Sequence, residues 1–335
     1  MRVEDLEKID KKCMYKTYDN WPDIADESYK KEYEKIDVKD IDHIVFAGMG
    51  GSGSIGDTIS AILSKKNIHV TIVKGYLLPK TVDSKTLVVA TSVSGNTSEI
   101  STILRDVQKS DSKVVGFSSG GMIEKICKDN DIFFQKIPMI HSPRASFVNF
   151  LYAILNILEP VLPIQKTDIN DSIKKLFQTR KNIFSGNLTE ENESLQLAKF
   201  VRDMVCIYSP SGLRASAIRY KNCLQENAKV HAMIEDVIES CHNGIVSWEK
   251  ESIVNPVMIQ GSDDHIKTKE RWKILEEFFC QKDIDYMKIN SVKGGILTKI
   301  VNLNYLLDYS SIYAAVLNKI NPTPVDSIDY VKKRL

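Results

Sequence analysis

The sequence predicts an α/β protein made of two tandem units, each a parallel sheet flanked by helices. Three observations predict it. Apolar runs such as HIVFAG (43–48) and TLVVATS (86–92) are continuous rather than alternating, the pattern of strands covered on both faces. Between such runs lie stretches with helical spacing of apolar residues, giving a strand–helix rhythm. The rhythm breaks at a polar stretch near residue 162 and then resumes.

In order along the chain, residues 1–39 are polar and predict a helical arm. HIVFAG, HVTIVK, TLVVATS, KVVGFSS and IFFQKI then supply five strands of a first domain over residues 40–161. GSIGDTISAILSKK (53–66) and NTSEISTILRDVQKS (96–110) are helices with Ser or Asn near their starts. NFLYAILNILEPVLPI (149–164) is apolar, but Glu159 and two prolines make it a core helix rather than a membrane span. A second domain, residues 162–335, opens with a polar helical stretch. It continues through DMVCIYSP, the helix LRASAIRYKNCLQENAK, the strand NPVMIQGS, the helix HIKTKERWKILEEFFCQK and the strand DYMKIN. A long helix around NLNYLLDYSSIYAAVLNKI and a tail, NPTPVDSIDYVKKRL, close the chain. The two halves share no obvious sequence repeat.

Composition excludes several function classes. The 335 residues carry a formal charge of +1, so no global field recruits nucleic acid or an anionic membrane. The six cysteines are scattered without a C-x-x-C pair, which argues against zinc or a redox motif and for mostly buried thiols in a reducing cytoplasm. MRVEDLEKIDKKC has no apolar segment of the secretory kind, so a cytoplasmic location is expected.

Two turns carry the functional reading. IVFAGMGGSG (44–53) spells G-x-G-x-x-G after a strand, which suits either a dinucleotide or any phosphate at a helix N-terminus. A dinucleotide fold places an acid at the end of its second strand; here that strand ends in Lys74, Gly75 and Tyr76. TSVSGNTSE (91–99) follows another strand and brings Ser92, Ser94 and Thr97 to a helix start, with Gly95 allowing close approach. It contains no lysine, so it is not a nucleotide P-loop. Both turns project from the carboxyl edge of one sheet, where open α/β sheets bind ligands.

GMGGSG and S-x-SGNT in this order resemble the sugar-isomerase (SIS) domain. SPRASF around Arg144, QENAK ahead of ESCHNGIVSWE, and the tail PTPVDSIDYVKKRL resemble a narrower group, the bifunctional phosphoglucose/phosphomannose isomerases. The likeness runs from about Asp40 onward. It implies two tandem SIS-type, flavodoxin-like domains and a phosphosugar site in which Gly51, Ser52, Ser92, Ser94 and Thr97 hold the phosphate. The implied reaction is aldose–ketose isomerisation of glucose 6-phosphate and mannose 6-phosphate to fructose 6-phosphate through a cis-enediolate. In it Glu226 matches the proton carrier between C2 and C1, His242 the ring-opening histidine, and Arg144 the arginine that stabilises the enediolate. Lys332 is assigned a part in ring opening, with Lys333 and Arg334 as adjacent alternatives, and Thr323 lines the sugar near C1 to C3. The resemblance further implies a homodimer in which His242 crosses to the neighbouring subunit. No metal and no cofactor are expected. Val93 between the serines, where an aromatic is frequent, and Cys241 before His242 depart from the usual pattern. Three other readings stand beside this one: a non-catalytic phosphosugar sensor, which would have no need of Glu226, His242 and Arg144 together; an isomerase of an amino-sugar or pentose phosphate; and, most distantly, a nicotinamide-dependent oxidoreductase.

Overall fold

A computed structural model of the chain describes residues 1–334. Two compact units emerge, one of Asn20–Ile173 and one of Met1–Asp19 together with the residues from Lys174 onward. Each is an α/β unit with a parallel sheet, as the strand–helix rhythm predicts.

The unit Asn20–Ile173 has five parallel strands, β1 (His43–Ala47), β2 (His69–Val73), β3 (Thr86–Ser92), β4 (Lys113–Ser118) and β5 (Phe133–Lys136), in the order β2-β1-β3-β4-β5. β1 and β3 are central and buried along their whole length, which is why their sequences are unbroken apolar runs. They are in register with Ala47 opposite Ala90, so both chains leave the sheet at the same edge. The strand order reverses between them, with β2 on the far side of β1 and β4 on the far side of β3. That is the doubly wound arrangement whose crevice at the reversal receives ligands.

One face of this sheet packs on the helices Ser98–Asp106 and Gly121–Asp129 through Ile100, Ile103, Leu104, Ile123 and Ile126. The helix Phe147–Ile157 is buried at every position, so it is apolar all round rather than amphipathic. The helix Trp21–Lys30 lies on it, with Trp21 stacked on Phe147 at 6.0 Å and the Ser28 hydroxyl donating to Asn149 Oδ1 at 2.8 Å.

The other unit has β6 (Met204–Ser209), β7 (His231–Asp236), β8 (Asn255–Gln260) and β9 (Met287–Asn290), all parallel, in the order β7-β6-β8-β9. β7 is absent from the sequence expectation. It is an edge strand with no buried residue, and HAMIED lacks the apolar run that marks the central strands. The helix Ile296–Leu317, buried over twenty of its positions, is the unit's central support. The first residues of the chain pack here: Tyr18 donates to Asp308 Oδ2 at 3.2 Å and Tyr309 to Asp19 Oδ1 at 2.5 Å.

The division of the chain therefore differs from the expected one. Residues 1–39 do not form a single arm but are split at Asp19/Asn20, and the second division lies inside the helix Lys166–Ile183 rather than at its approach. Each stretch joins the unit on which its apolar and tyrosine side chains are buried. Among the described residues no helix is long and apolar enough to cross a membrane. Of the six cysteines, Cys127, Cys206 and Cys223 are buried, fewer than the composition suggests; Cys13 and Cys241 are half-buried and Cys280 is exposed. Burial pushes the Cys127 and Cys206 thiols up to about 12, which makes them inert as nucleophiles at neutral pH.

Candidate active site

The two glycine- and serine-rich turns follow β1 and β3, the two strands that flank the order reversal. The first turn enters the helix Gly50–Leu63 and the second the helix Ser98–Asp106. Two helix N-termini thus arise beside one crevice, each with main-chain amides that no residue of their own helix can satisfy. Thr97 stands at the N-cap of the second helix, yet its hydroxyl does not cap it. It lies 2.7 Å from the Ser92 hydroxyl instead, leaving the first-turn amides without a side-chain acceptor.

The serines divide into two roles. Ser52 and Ser92 are buried and knit the turns together. Val93 N–H donates to Ser52 Oγ at 3.0 Å, tying the first turn to the second, and Gly95 N–H donates to Ser92 Oγ at 3.1 Å. Ser94 is half-buried, and its hydroxyl makes no hydrogen bond among the described residues. Of the four hydroxyl hydrogens on Ser52, Ser92, Ser94 and Thr97, the Ser92–Thr97 contact consumes one. Three remain for an anion. Gly51 lies at the same turn, and its Cα hydrogen faces the backbone of Pro143 and Arg144: a Cβ there would stand 3.1 Å from the Pro143 carbonyl oxygen and 3.2 Å from Arg144 Cα. Arg144, itself buried, is therefore anchored against the first turn. The arm that carries it is held by Ser146, whose hydroxyl accepts from Ile140 N–H at 2.8 Å.

A third loop, after β4, braces the second turn. Gly95 has φ +76°, and a Cβ on it would come within 2.0 Å of the Gly120 carbonyl oxygen, so glycine is required twice over. Asn96 Oδ1 accepts from Met122 N–H at 3.1 Å, and the Ser119 hydroxyl donates to Val93 O at 2.7 Å. Sequence reasoning missed this support. The pair Gly120–Gly121 was its visible trace.

The acid–base candidates lie in the other unit. The helix Arg214–Cys223 does not run straight into QENAK but widens into a π turn, Leu224–Ala228, closed by Lys229 at φ +58°. Glu226 sits half-buried on that turn. Such one-turn widenings are frequent at functional sites because they rotate a side chain out of helical register. The turn is anchored from below: Asn227, fully buried, donates from Nδ2 to Ser311 Oγ at 2.8 Å, and Ser311 donates to Asp308 O at 2.6 Å. Asp308 also pairs with Arg219 of the preceding helix, both nearly inaccessible, and accepts from Cys223 at 3.2 Å. Burial pushes the Asp308 carboxyl above its ordinary value, against the pull of the Arg219 guanidinium. Above the turn, the Lys229 ammonium donates to the carbonyls of Glu226 at 2.5 Å and Pro324 at 2.8 Å. The structure thereby brings Thr323, next to Pro324 and half-buried, into the neighbourhood of Glu226.

His242 and Lys332 are not gathered in. His242 follows the short helix Val237–Ser240 and is exposed, and its imidazole makes no hydrogen bond or ion pair among the described residues. Lys332 ends the helix Asp326–Lys332, which buries none of its side chains. Of the neighbouring bases, Arg334 is engaged with Tyr330, stacked 3.5 Å from the ring centroid and donating to its carbonyl at 2.9 Å.

β6 and β8 flank a second order reversal, but the loop after β8 is acidic. Asp264 caps its own turn by accepting from Gly261 N–H at 2.9 Å, and Asp263 pairs with Lys299. A phosphate would meet two carboxylates there. The turns after β1 and β3 instead present the hydroxyls of Ser52, Ser92, Ser94 and Thr97 beside two helix N-termini, with the Glu99 carboxylate in the first turn of the second helix accepting from the Ser98 hydroxyl at 3.0 Å.

A family model described as "Bacterial phospho-glucose isomerase C-terminal SIS domain" matches residues 190–335. A bifunctional phosphoglucose/phosphomannose isomerase from Caldicellulosiruptor bescii is 30% identical over 338 residues, covering 96% of this chain and 98% of that one. One of the same name from Aquifex aeolicus is 27% identical, covering 91% of this chain and 94% of its own. Among solved structures, the C-terminal domain of glucosamine-fructose-6-phosphate aminotransferase from Francisella tularensis superposes with a TM-score of 0.71 over 93% of this chain and 98% of that one. Its identity is 15%, so the likeness is one of fold.

Proposed function

Because the chain belongs to the bifunctional phosphoglucose/phosphomannose isomerase family, we propose that it interconverts glucose 6-phosphate and mannose 6-phosphate with fructose 6-phosphate. The observation that carries the reading to a site is the meeting of two hydroxyl-rich turns at the order reversal of the first sheet, where hydroxyl and main-chain donors at two helix N-termini suit a phosphate monoester. Gly51, Ser52, Ser92, Ser94 and Thr97 form this cradle. Ser94 and the amides after Thr97 are the direct donors, while Ser52 and Ser92 hold the turns in shape and lend their remaining hydrogens.

The chemistry divides among the other residues. After the ring opens, the Glu226 carboxylate removes the proton from C2 of the aldose; the C2 electrons form the C1–C2 double bond, and the carbonyl oxygen at C1 becomes the oxyanion. The guanidinium of Arg144 stabilises that charge as it develops. The O2 hydroxyl proton passes to O1, the carried proton returns to C1, and O2 becomes the carbonyl of the ketose. Thr323 is short enough to leave the C2–C3 bond free to rotate, so the proton can be lost from either C2 epimer. His242 opens the ring by moving a proton between the ring oxygen and the C1 hydroxyl, a task suited to an imidazole. It does so across a homodimer, a role supported by its exposure and by its imidazole having no hydrogen bond or ion pair among the described residues. Lys332 assists that step. A cytoplasmic location fits a phosphosugar enzyme.

A coupled assay tests the proposal by following fructose 6-phosphate formed from glucose 6-phosphate and, separately, from mannose 6-phosphate. Conversion of both is expected. Conversion of neither refutes the reading, and conversion of glucose 6-phosphate alone refutes the role of Thr323.

A further inference from the structure

Lys229 occupies an odd place. It is solvent-exposed and adopts the left-handed conformation that glycine or asparagine takes up more readily, at the residue that closes the π turn. Its N–H donates to the carbonyl of Leu224, ending the turn. Its ammonium reaches two carbonyls: Glu226, three residues back, and Pro324, ninety-five residues on. Pro324 has no N–H, and Thr323 before it is fixed by its own N–H donating to Asn321 Oδ1 at 3.1 Å. The turn that carries Glu226 is thus clamped between two anchors two residues apart. Asn227 holds it to the buried helix beneath, and Lys229 holds it to the tail above.

We propose that Lys229 is a positioning residue, its ammonium strapping the turn that bears the proton carrier Glu226 to the segment that bears Thr323. This rests on the reading of Glu226 and Thr323 given above. Two charge-assisted hydrogen bonds to main-chain oxygens fix the spacing between the group that moves the proton and the group that leaves room for both epimers. Loosening the strap alters how often the proton is placed correctly and on which face of C2 it returns. Phosphate binding, which depends on the other unit, is left alone.

The test compares Lys229→Met, which keeps the aliphatic stem without donors, with Lys229→Arg, which keeps the donors. Fructose 6-phosphate is the substrate, and the two aldose products are measured separately. Lys229→Met is expected to lower kcat about tenfold with KM within about twofold, as a sub-ångström misplacement would. It should also shift the mannose-to-glucose product ratio and speed deuterium exchange in peptides spanning residues 320–326. Lys229→Arg should retain kcat within about threefold and the parent product ratio. If Lys229→Met folds poorly, Lys229→Gln, which can serve one carbonyl at a time, takes its place with the same expectations at reduced size. Parent kcat and product ratio in the variant lacking the ammonium overturn the proposal. So does an equal loss in Lys229→Arg with exchange unchanged. Glu226→Gln in the same assay separates the two levels: an active Glu226→Gln removes the assigned base, whereas an inactive one beside a normal Lys229→Met removes only the strap.

Discussion

Replacing Gly51 by alanine tests whether the first turn sets the position of Arg144. The new Cβ would lie 3.1 Å from the Pro143 carbonyl oxygen, 3.2 Å from Arg144 Cα and 3.3 Å from the Pro143 carbonyl carbon, where ordinary contact begins at 3.4 Å. All three atoms are main chain, so no side chain can swing aside, and the arm must retreat by about 0.3 Å. A misplacement of 1 Å at a reacting centre costs about a hundredfold in rate, so on a logarithmic scale this retreat costs about fourfold. Overpacking adds about 1 kcal/mol of instability, the low end of its usual range. The control is Gly75→Ala, whose Cβ would meet nothing within 4 Å. Steady-state kinetics with glucose 6-phosphate, together with urea unfolding of each variant, reads both effects. The expected result is a fourfold lower kcat and lower stability for Gly51→Ala, with Gly75→Ala matching the parent. A Gly51→Ala enzyme with parent kcat and parent stability would show that the close approach does not govern the arm, and the coupling of turn to arginine would fall with it.

Two further outcomes separate roles within the fold. Ser94→Ala removes the uncommitted hydroxyl and should raise KM for sugar phosphates by about tenfold or more, the worth of one hydrogen bond to an anion, with unfolding unchanged. Ser92→Ala should instead lower the unfolding free energy by about 0.5–1.5 kcal/mol, because it removes one of the two acceptors of Gly95 N–H, leaving the main-chain carbonyl of residue 92 at 3.0 Å, and frees Thr97; the opposite pattern would reverse the two assignments. His43 should make the protein acid-sensitive. Burial, then the charge of neighbouring His69, holds its imidazole below the ordinary value near 6.5. The unfolded chain therefore takes up this proton first as pH falls, so the stabilisation is complete above about pH 6.5 and is lost below it, by at most about 1.4 kcal/mol per pH unit. Urea unfolding between neutral and mildly acidic pH should show that slope in the parent and a flatter one in His43→Gln. An unchanged slope would clear His43 of the effect.

Some of this molecule was legible before any coordinates. Continuous apolar runs exposed the central strands β1 and β3, because a strand covered on both faces has no polar positions to break it. Glycines and hydroxyls in short order revealed the two turns, because a tight strand-to-helix turn is specified by a few consecutive residues. Edge strand β7 escaped notice for the converse reason: with no face fully buried, HAMIED bears no apolar run. The third loop that braces Gly95 was likewise hidden, since Gly120 and Gly121 matter through a contact twenty-five residues away in the chain.

Local pattern, then, was enough for the α/β class, the parallel strands and the residue types of the two turns, since each is written in neighbours along the chain. It could not say that Ser52 and Ser92 are structural while Ser94 stands open, that the first thirty-nine residues divide between two units, or that Lys229 ties Glu226 to a tail ninety-five residues on. Those facts depend on which distant groups meet, and a hydroxyl or an ammonium acquires its role from the partner it finds in space, not from its neighbours in sequence.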